Sequence, residues 1–195
     1  MHPTTVLFFG PSGAGKGTQV QMLMDALKKR EERSIVYVEM GALLREQVAG
    51  GGFTANLTDD VISHGGLMPG FMPIYLMTKR LVEQFTGVEH IIADAVVRRT
   101  SQAEAFDEAM RFYGRHDYHV IVMELSEAST LKRLLARGRN DDTEESIKRR
   151  LAWYQADVLP ALEVLTKRGA HIHHIDGEPD VETIHASILA ALELA

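Results

Sequence analysis

The chain contains no cysteine. Neither disulfides nor cysteine-ligated zinc can therefore hold any part of it together, and a segment that closes over a site must do so without them. Basic residues are not in excess either: 21 Lys and Arg stand against 27 Asp and Glu, for a formal charge of −6. That balance argues against nucleic acid as a main partner, although arginines can still line a local cleft. No apolar run approaches the roughly 20 residues of a membrane-spanning helix, and the first one begins a few residues after Met1, leaving no room for a signal peptide. A cytoplasmic protein with no membrane partner is expected. Internal repeats and low-complexity tracts are also missing. A length of 195 residues with 45% hydrophobic content suits one compact domain, and two independent domains would be cramped.

Glycine, by contrast, is concentrated in one place. The stretch "FFGPSGAGKGTQV", Phe8 to Val20, sets Gly10, Gly15 and Lys16 at the spacing G-x-x-x-x-G-K. Glycines there let backbone N–H groups turn inward around a polyphosphate, and the lysine adds a point charge. Val6 to Phe9 is a short continuous apolar run suited to a buried parallel strand, while Val20, Leu23, Met24 and Leu27 recur at helical spacing. The loop is thus expected between a strand and a helix N-terminus, where unpaired N–H groups and the helix dipole favour an anion.

Further apolar runs read as strands: "SIVYV" (Ser34 to Val38), "HIIAD" (His90 to Asp94), "HVIVMEL" (His119 to Leu125) and "HIHHI" (His171 to Ile175). Helical patterns separate them, which predicts right-handed crossovers and a parallel sheet covered on both faces. Ligands of such sheets bind beyond the carboxyl ends of the strands, where Gly10, Glu39 and Asp94 fall. Residues 41–69 break the alternation with short helical patterns and the turn-rich "AGGGF" and "SHGGLMPG", as an inserted flap would. A much smaller excursion, 136–142, holds "ARGRNDD". Strand alternation sends His173 and His174 to opposite faces and so speaks against a shared metal site. The methionines of "GLMPGFMPIYLM" read as core, with an adaptable binding surface as the alternative.

Five motifs, in order, resemble those of the adenylate kinases and related nucleoside monophosphate kinases. "GPSGAGKGTQ" is similar to their phosphate loop, "GALLREQV" to G-D-L-L-R and "SHGGLMP" to G-x-L-V-P. "DAVVRRTSQAEAFDEAM" resembles D-G-F-P-R-T-x-x-Q-A-E-A-L-D, and "RGRNDDTEESIKRRLAWY" resembles R-x-D-D-x-x-E-x-x-x-x-R-L-x-x-Y. The resemblance implies a P-loop three-layer α/β/α fold with a five-stranded parallel sheet. One domain, 1–195, would comprise a core (1–40, 70–135 and 143–195), a monophosphate-binding flap (41–69) and a very short lid (136–142). It implies reversible transfer of the γ-phosphoryl of ATP to AMP with Mg²⁺, giving two ADP, by a monomer without structural zinc. Gly13, Ala14, Gly15, Lys16, Gly17 and Thr18 would hold the ATP phosphates, and Arg133 would stack on its adenine. Gly41, Arg45, Leu67, Ala95, Arg98 and Gln102 would form the acceptor site. Arg137, Arg139 and Arg150 would converge when the lid shuts, and Asp94 would hold magnesium through water. Arginines suit this chemistry because a transferring phosphoryl group needs positioned cations and N–H donors, not a nucleophile.

The motifs also depart from the family. Ala95 stands for a glycine, Val97 for a proline, Ala42 for an aspartate, and Met40 occupies a position often taken by a hydroxyl residue. A reshaped backbone around Ala95 and the loss of one polar contact to the base are expected. The loop hydroxyl that usually follows the lysine is missing; Thr18 comes one residue later and is assigned to phosphate. Asp141 and Asp142 either orient the lid arginines or cap the helix that starts near Thr143. Gln102 either reads the adenine or satisfies backbone groups at a helix start. Two rival functions remain: a kinase for another nucleoside monophosphate, and a degenerate nucleotide-binding protein without turnover.

Overall fold

The computed structural model describes residues 2–138 and 142–194. In chain order the elements are β1 (Thr5–Phe9), α1 (Lys16–Arg30), β2 (Ile35–Glu39), α2 (Met40–Ala49), α3 (Phe53–Ser63), α4 (Phe71–Gln84), β3 (His90–Asp94), α5 (Thr100–Phe112), β4 (His119–Glu124), α6 (Glu127–Arg137), α7 (Glu144–Trp153), a π-helical turn (Tyr154–Val158), α8 (Leu159–Lys167), β5 (His171–Asp176) and α9 (Val181–Ala191). All five strands are parallel, in the order β2-β3-β1-β4-β5. β1 and β3 are buried throughout, as unbroken apolar runs require when helices cover both faces. Alternate side chains feed two cores. Leu7, Phe9, Ile91 and Val120 join residues of α2, α4, α5 and α8 on one face. Val6, Phe8, Ile92 and Ile121 join α1 and α9 on the other.

The chain leaves β1 toward β2 on one side and later crosses to β4 on the other. The carboxyl end of β1 is therefore the point where strand order reverses, and a crevice opens there. Register aligns Phe8 with Asp94 and Phe9 with Val122, so the glycine loop leaving β1 lies beside the end of β3.

Among the described strands β5 pairs only with β4, and it is partly exposed, the edge strand that its histidines suggested. His173 stacks on His119, with Nε2 and Nδ1 3.0 Å apart, while His174 reaches Glu124. Met68, Met72 and Met77 are buried in the first core, which supports the core reading over an adaptable surface. The π-helical turn joins α7 to α8, and the Leu159 N–H reaches back to the Tyr154 carbonyl. Pro160 follows at once; having no N–H, it could not continue the α-helical ladder to Ala156.

Candidate functional site

The glycine loop has the backbone that its composition requires. Gly10 has φ 139°, and a Cβ on it would lie 2.6 Å from the Met123 carbonyl oxygen, so no side chain fits between β1 and β4 there. Gly15, at φ 87°, is the N-cap of α1 and supplies no side-chain acceptor to the first-turn N–H groups. No acidic residue stands in that turn, whereas Lys28, Lys29 and Arg30 occupy the last one. The helix therefore offers donors and a positive dipole end to an anion. A Cβ on Gly17 would meet nothing within 4 Å, so this glycine leaves space open beside the loop. Thr18 is exposed in the first turn.

Lys16 folds back over the loop and donates to the Gly10 and Pro11 carbonyls at 2.8 Å each. Burial pulls its pKa down to about 8; Asp94 opposes that shift, and Arg98 and Arg137 add to it. A phosphate group beside the ammonium reverses this by stabilising the charged form. Above pH 8 the free lysine is largely neutral, so a polyphosphate bound beside it would bring uptake of a proton and bind more weakly as pH rises. The expected calorimetric result at pH 8.5 is a binding enthalpy that differs between buffers of different ionisation enthalpy, with proton uptake. Lys16→Arg should abolish the difference.

At the end of β3, Asp94 is buried, and its Oδ1 has no hydrogen-bond partner. Burial raises its pKa, while Lys16 draws it back down. An unpartnered buried carboxylate oxygen facing a phosphate loop fits a magnesium ion held through water, because Mg²⁺ gives up its waters reluctantly. Among the described residues no group of three His, Cys, Asp or Glu side chains could hold a metal ion unaided. The ion would thus depend on the nucleotide phosphates for its remaining ligands.

Next in the chain, Ala95 adopts φ 55°. This is a left-handed turn that glycine adopts freely, at a cost to alanine of about 1 kcal/mol. No cis peptide occurs among the described residues. The turn brings Arg98 back over the crevice, where its Nε donates to the Ala95 carbonyl at 3.3 Å and its guanidinium carbon lies 5.2 Å from the centre of the Trp153 ring. Lys16, Ala95, Arg98 and Trp153 line one cavity together with Gly10 and Ser12.

A second cavity adjoins the first through Ala95 and Arg98, and Met40, Leu67, Met68 and Gln102 close its far side. Gln102 satisfies a backbone group just before α5. Its Oε1 accepts from the Arg98 backbone N–H at 2.7 Å, which fixes the amide orientation, and its Nε2 is buried without a partner. The side chain thus offers a ligand chiefly a donor, and not the donor and acceptor together that the sequence suggested. Arg45, on α2, pairs with Glu39 at 3.2 Å. A Cβ on Gly41 would come within 2.9 Å of Glu39 Oε1 and 3.0 Å of Arg45 Nη1, so the glycine makes room for that pair.

Between α6 and α7, Asp142 gathers two arginines. Its side chain is fully buried; Arg137 donates to both of its oxygens at 2.7 Å, and Arg150 donates to Oδ1 at 3.0 Å. The cap of α7 is instead Thr143, whose hydroxyl accepts from the Ser146 N–H. Asp142 is therefore an arginine-orienting residue and not a helix cap. Arg139 and Asp141 lie outside the described residues. Arg133, on α6, donates to the Glu178 carbonyl at 3.3 Å. Trp153 carried no signal in the sequence; an aromatic side chain four residues after Arg149 and next to Tyr154 could have drawn attention to it.

Comparison with known proteins places the chain. Residues 8–170 match the adenylate kinase family. An adenylate kinase of Corynebacterium urealyticum is 31% identical over 188 residues, 96% of this chain and 98% of the relative. One from Thermus thermophilus is 31% identical over 191 residues, covering 96% of each chain, and adenylate kinase 1 of a Nostoc species is 31% identical over 189 residues, 97% of this chain and 98% of its own. With the phosphate loop, the buried carboxylate at the end of β3 and the gathered arginines, this similarity shows that the chain belongs to the adenylate kinase family, phosphotransferases of the nucleoside monophosphate kinase class.

Proposed function

We propose that ATP and AMP meet in the two adjoining cavities and exchange a phosphoryl group there, giving two ADP. The observation that carries this reading is the buried, unpartnered Nε2 of Gln102, a residue lining a largely apolar cavity that shares Arg98 with the phosphate cavity. In this reading Gly13, Ala14, Gly15, Gly17 and Thr18 hold the ATP phosphates, Lys16 bridges the β- and γ-phosphates, and Arg133 lies over the adenine. Residues 41–69 form the acceptor flap, 136–142 the short lid, and Arg45 and Arg98 hold the monophosphate. Arg137 and Arg150, with Arg139 from the lid, surround the transferring group and stabilise the charge that spreads over its oxygens. Magnesium, which the family normally uses, supplies further positive charge and orients the phosphates; Asp94 would hold it through water. The chain acts as a monomer in this reading, since both nucleotide sites are built from one chain.

The apolar remainder of the acceptor cavity supports a role for Gln102 in discriminating the base. A lone donor suits the N1 acceptor of adenine, whereas the N1 of guanine bears a hydrogen. Gln102→Leu is expected to lose about tenfold in kcat/KM for AMP, while pyrimidine monophosphates change little, in keeping with about 1–3 kcal/mol for a buried polar group left unpaired. An equal loss for every acceptor would mean that the side chain serves only the Arg98 backbone.

A further inference from the structure

We propose that Trp153 is a positioning residue for the acceptor nucleotide, holding Arg98 and the acceptor flap in register. Three observations meet at this side chain. Its ring lies under the Arg98 guanidinium, at 5.2 Å from carbon to ring centre. Its Nε1–H donates to the Gly65 carbonyl at 3.2 Å, in the turn between α3 and α4 that leads into Leu67 and Met68 of the acceptor cavity. It also lines the phosphate cavity beside Lys16 and Arg98.

The turn is seated closely on α7. Arg149, four residues before Trp153 and so on the same helical face, donates to the His64 carbonyl at 2.7 Å. Gly65 has φ +67°, and a Cβ on it would lie 3.0 Å from Ser146 Cβ. Two neighbouring carbonyls of the flap turn thus hang from one face of α7, and the same face supports the arginine assigned to the acceptor phosphate. A flat π surface favours a guanidinium lying against it and leaves the N–H edges free to point at an anion. Trp153 occupies an open position of the motif that carries Arg150 and Tyr154, so the device is a feature of this chain and not of the motif. Asp157, one turn further, holds the neighbouring Arg99 at 3.0 Å. Consecutive arginines are therefore anchored on consecutive turns of one helical segment, and the π-helical turn lies at that place.

The inference rests on the assignment of the acceptor phosphate to Arg98, and the test separates the two. With both substrates varied, Trp153→Leu is expected to raise the KM for AMP about tenfold while the KM for ATP stays within about twofold. Trp153→Phe, which restores a ring but no N–H, should recover most of the loss. Because the chain has a single tryptophan, its emission reports this site alone. AMP added to the unaltered protein should change the emission, with a midpoint near its KM. An unchanged KM for AMP in Trp153→Leu, a parallel rise for both substrates, or an emission blind to AMP would each overturn the proposal. Arg98→Ala is measured in parallel. If it leaves the KM for AMP unaltered, the acceptor assignment fails; if it impairs AMP while Trp153→Leu does not, only the role of Trp153 fails.

Discussion

Replacing Lys16 with methionine is expected to lower turnover by about a thousandfold or more, equivalent to about 4 kcal/mol of transition-state stabilisation. The ammonium now bridges the Gly10 and Pro11 carbonyls across the mouth of the loop. Its burial, which already depresses the pKa to about 8, means that its charge acts where water screens it little. Methionine has similar length and apolar bulk, so the loop geometry imposed by Gly10 and Gly15 should persist. Circular dichroism should be unchanged while the rate collapses. Activity within tenfold of the parent would mean that the loop is not the cradle for the transferring group.

The second large effect belongs to Asp142. Its carboxylate receives both arms of Arg137 and one of Arg150 while fully buried. In Asp142→Ala the two guanidiniums keep their charge and lose the anion that draws them together. The expected loss in kcat is about a hundredfold, about 2.7 kcal/mol, and the thermal midpoint should fall because the charge-assisted hydrogen bonds to Arg137 and Arg150 are lost. Asp142→Asn keeps one acceptor oxygen in the same place and should lie between the two. Assays well below the melting transition separate the catalytic part from the stability part; kcat within threefold of the parent there would show that these arginines do not act on the reaction.

The strands were legible because buried parallel strands leave unbroken apolar runs. "HIIAD" coincides with β3, and "SIVYV" misses β2 by one residue at each end. Spacing sufficed for the glycine loop, since Gly10 and Gly15 occupy conformations or contacts that side chains resist. Three features were not legible. Strand order depends on crossovers that one sequence does not specify. The positive φ at Ala95 was not legible, because alanine is uncommon in that conformation and only the fold holds the turn and carries the strain. Engagement of the Gln102 oxygen by the Arg98 N–H, and of Trp153 by both Arg98 and Gly65, arises from tertiary neighbours far apart in the chain, and no local pattern announces such contacts.

The central claim is that the cavity beside Arg98 takes AMP and that the chain turns it over. Its most direct test is a coupled assay offering ATP and Mg²⁺ with AMP, GMP, CMP, UMP and dTMP in parallel. The predicted result is rapid formation of two ADP from AMP, with kcat/KM for each other acceptor lower by about tenfold or more, as expected when a buried amide donor is matched by one base only. Preference for another acceptor, or nucleotide binding without turnover of any, would contradict it.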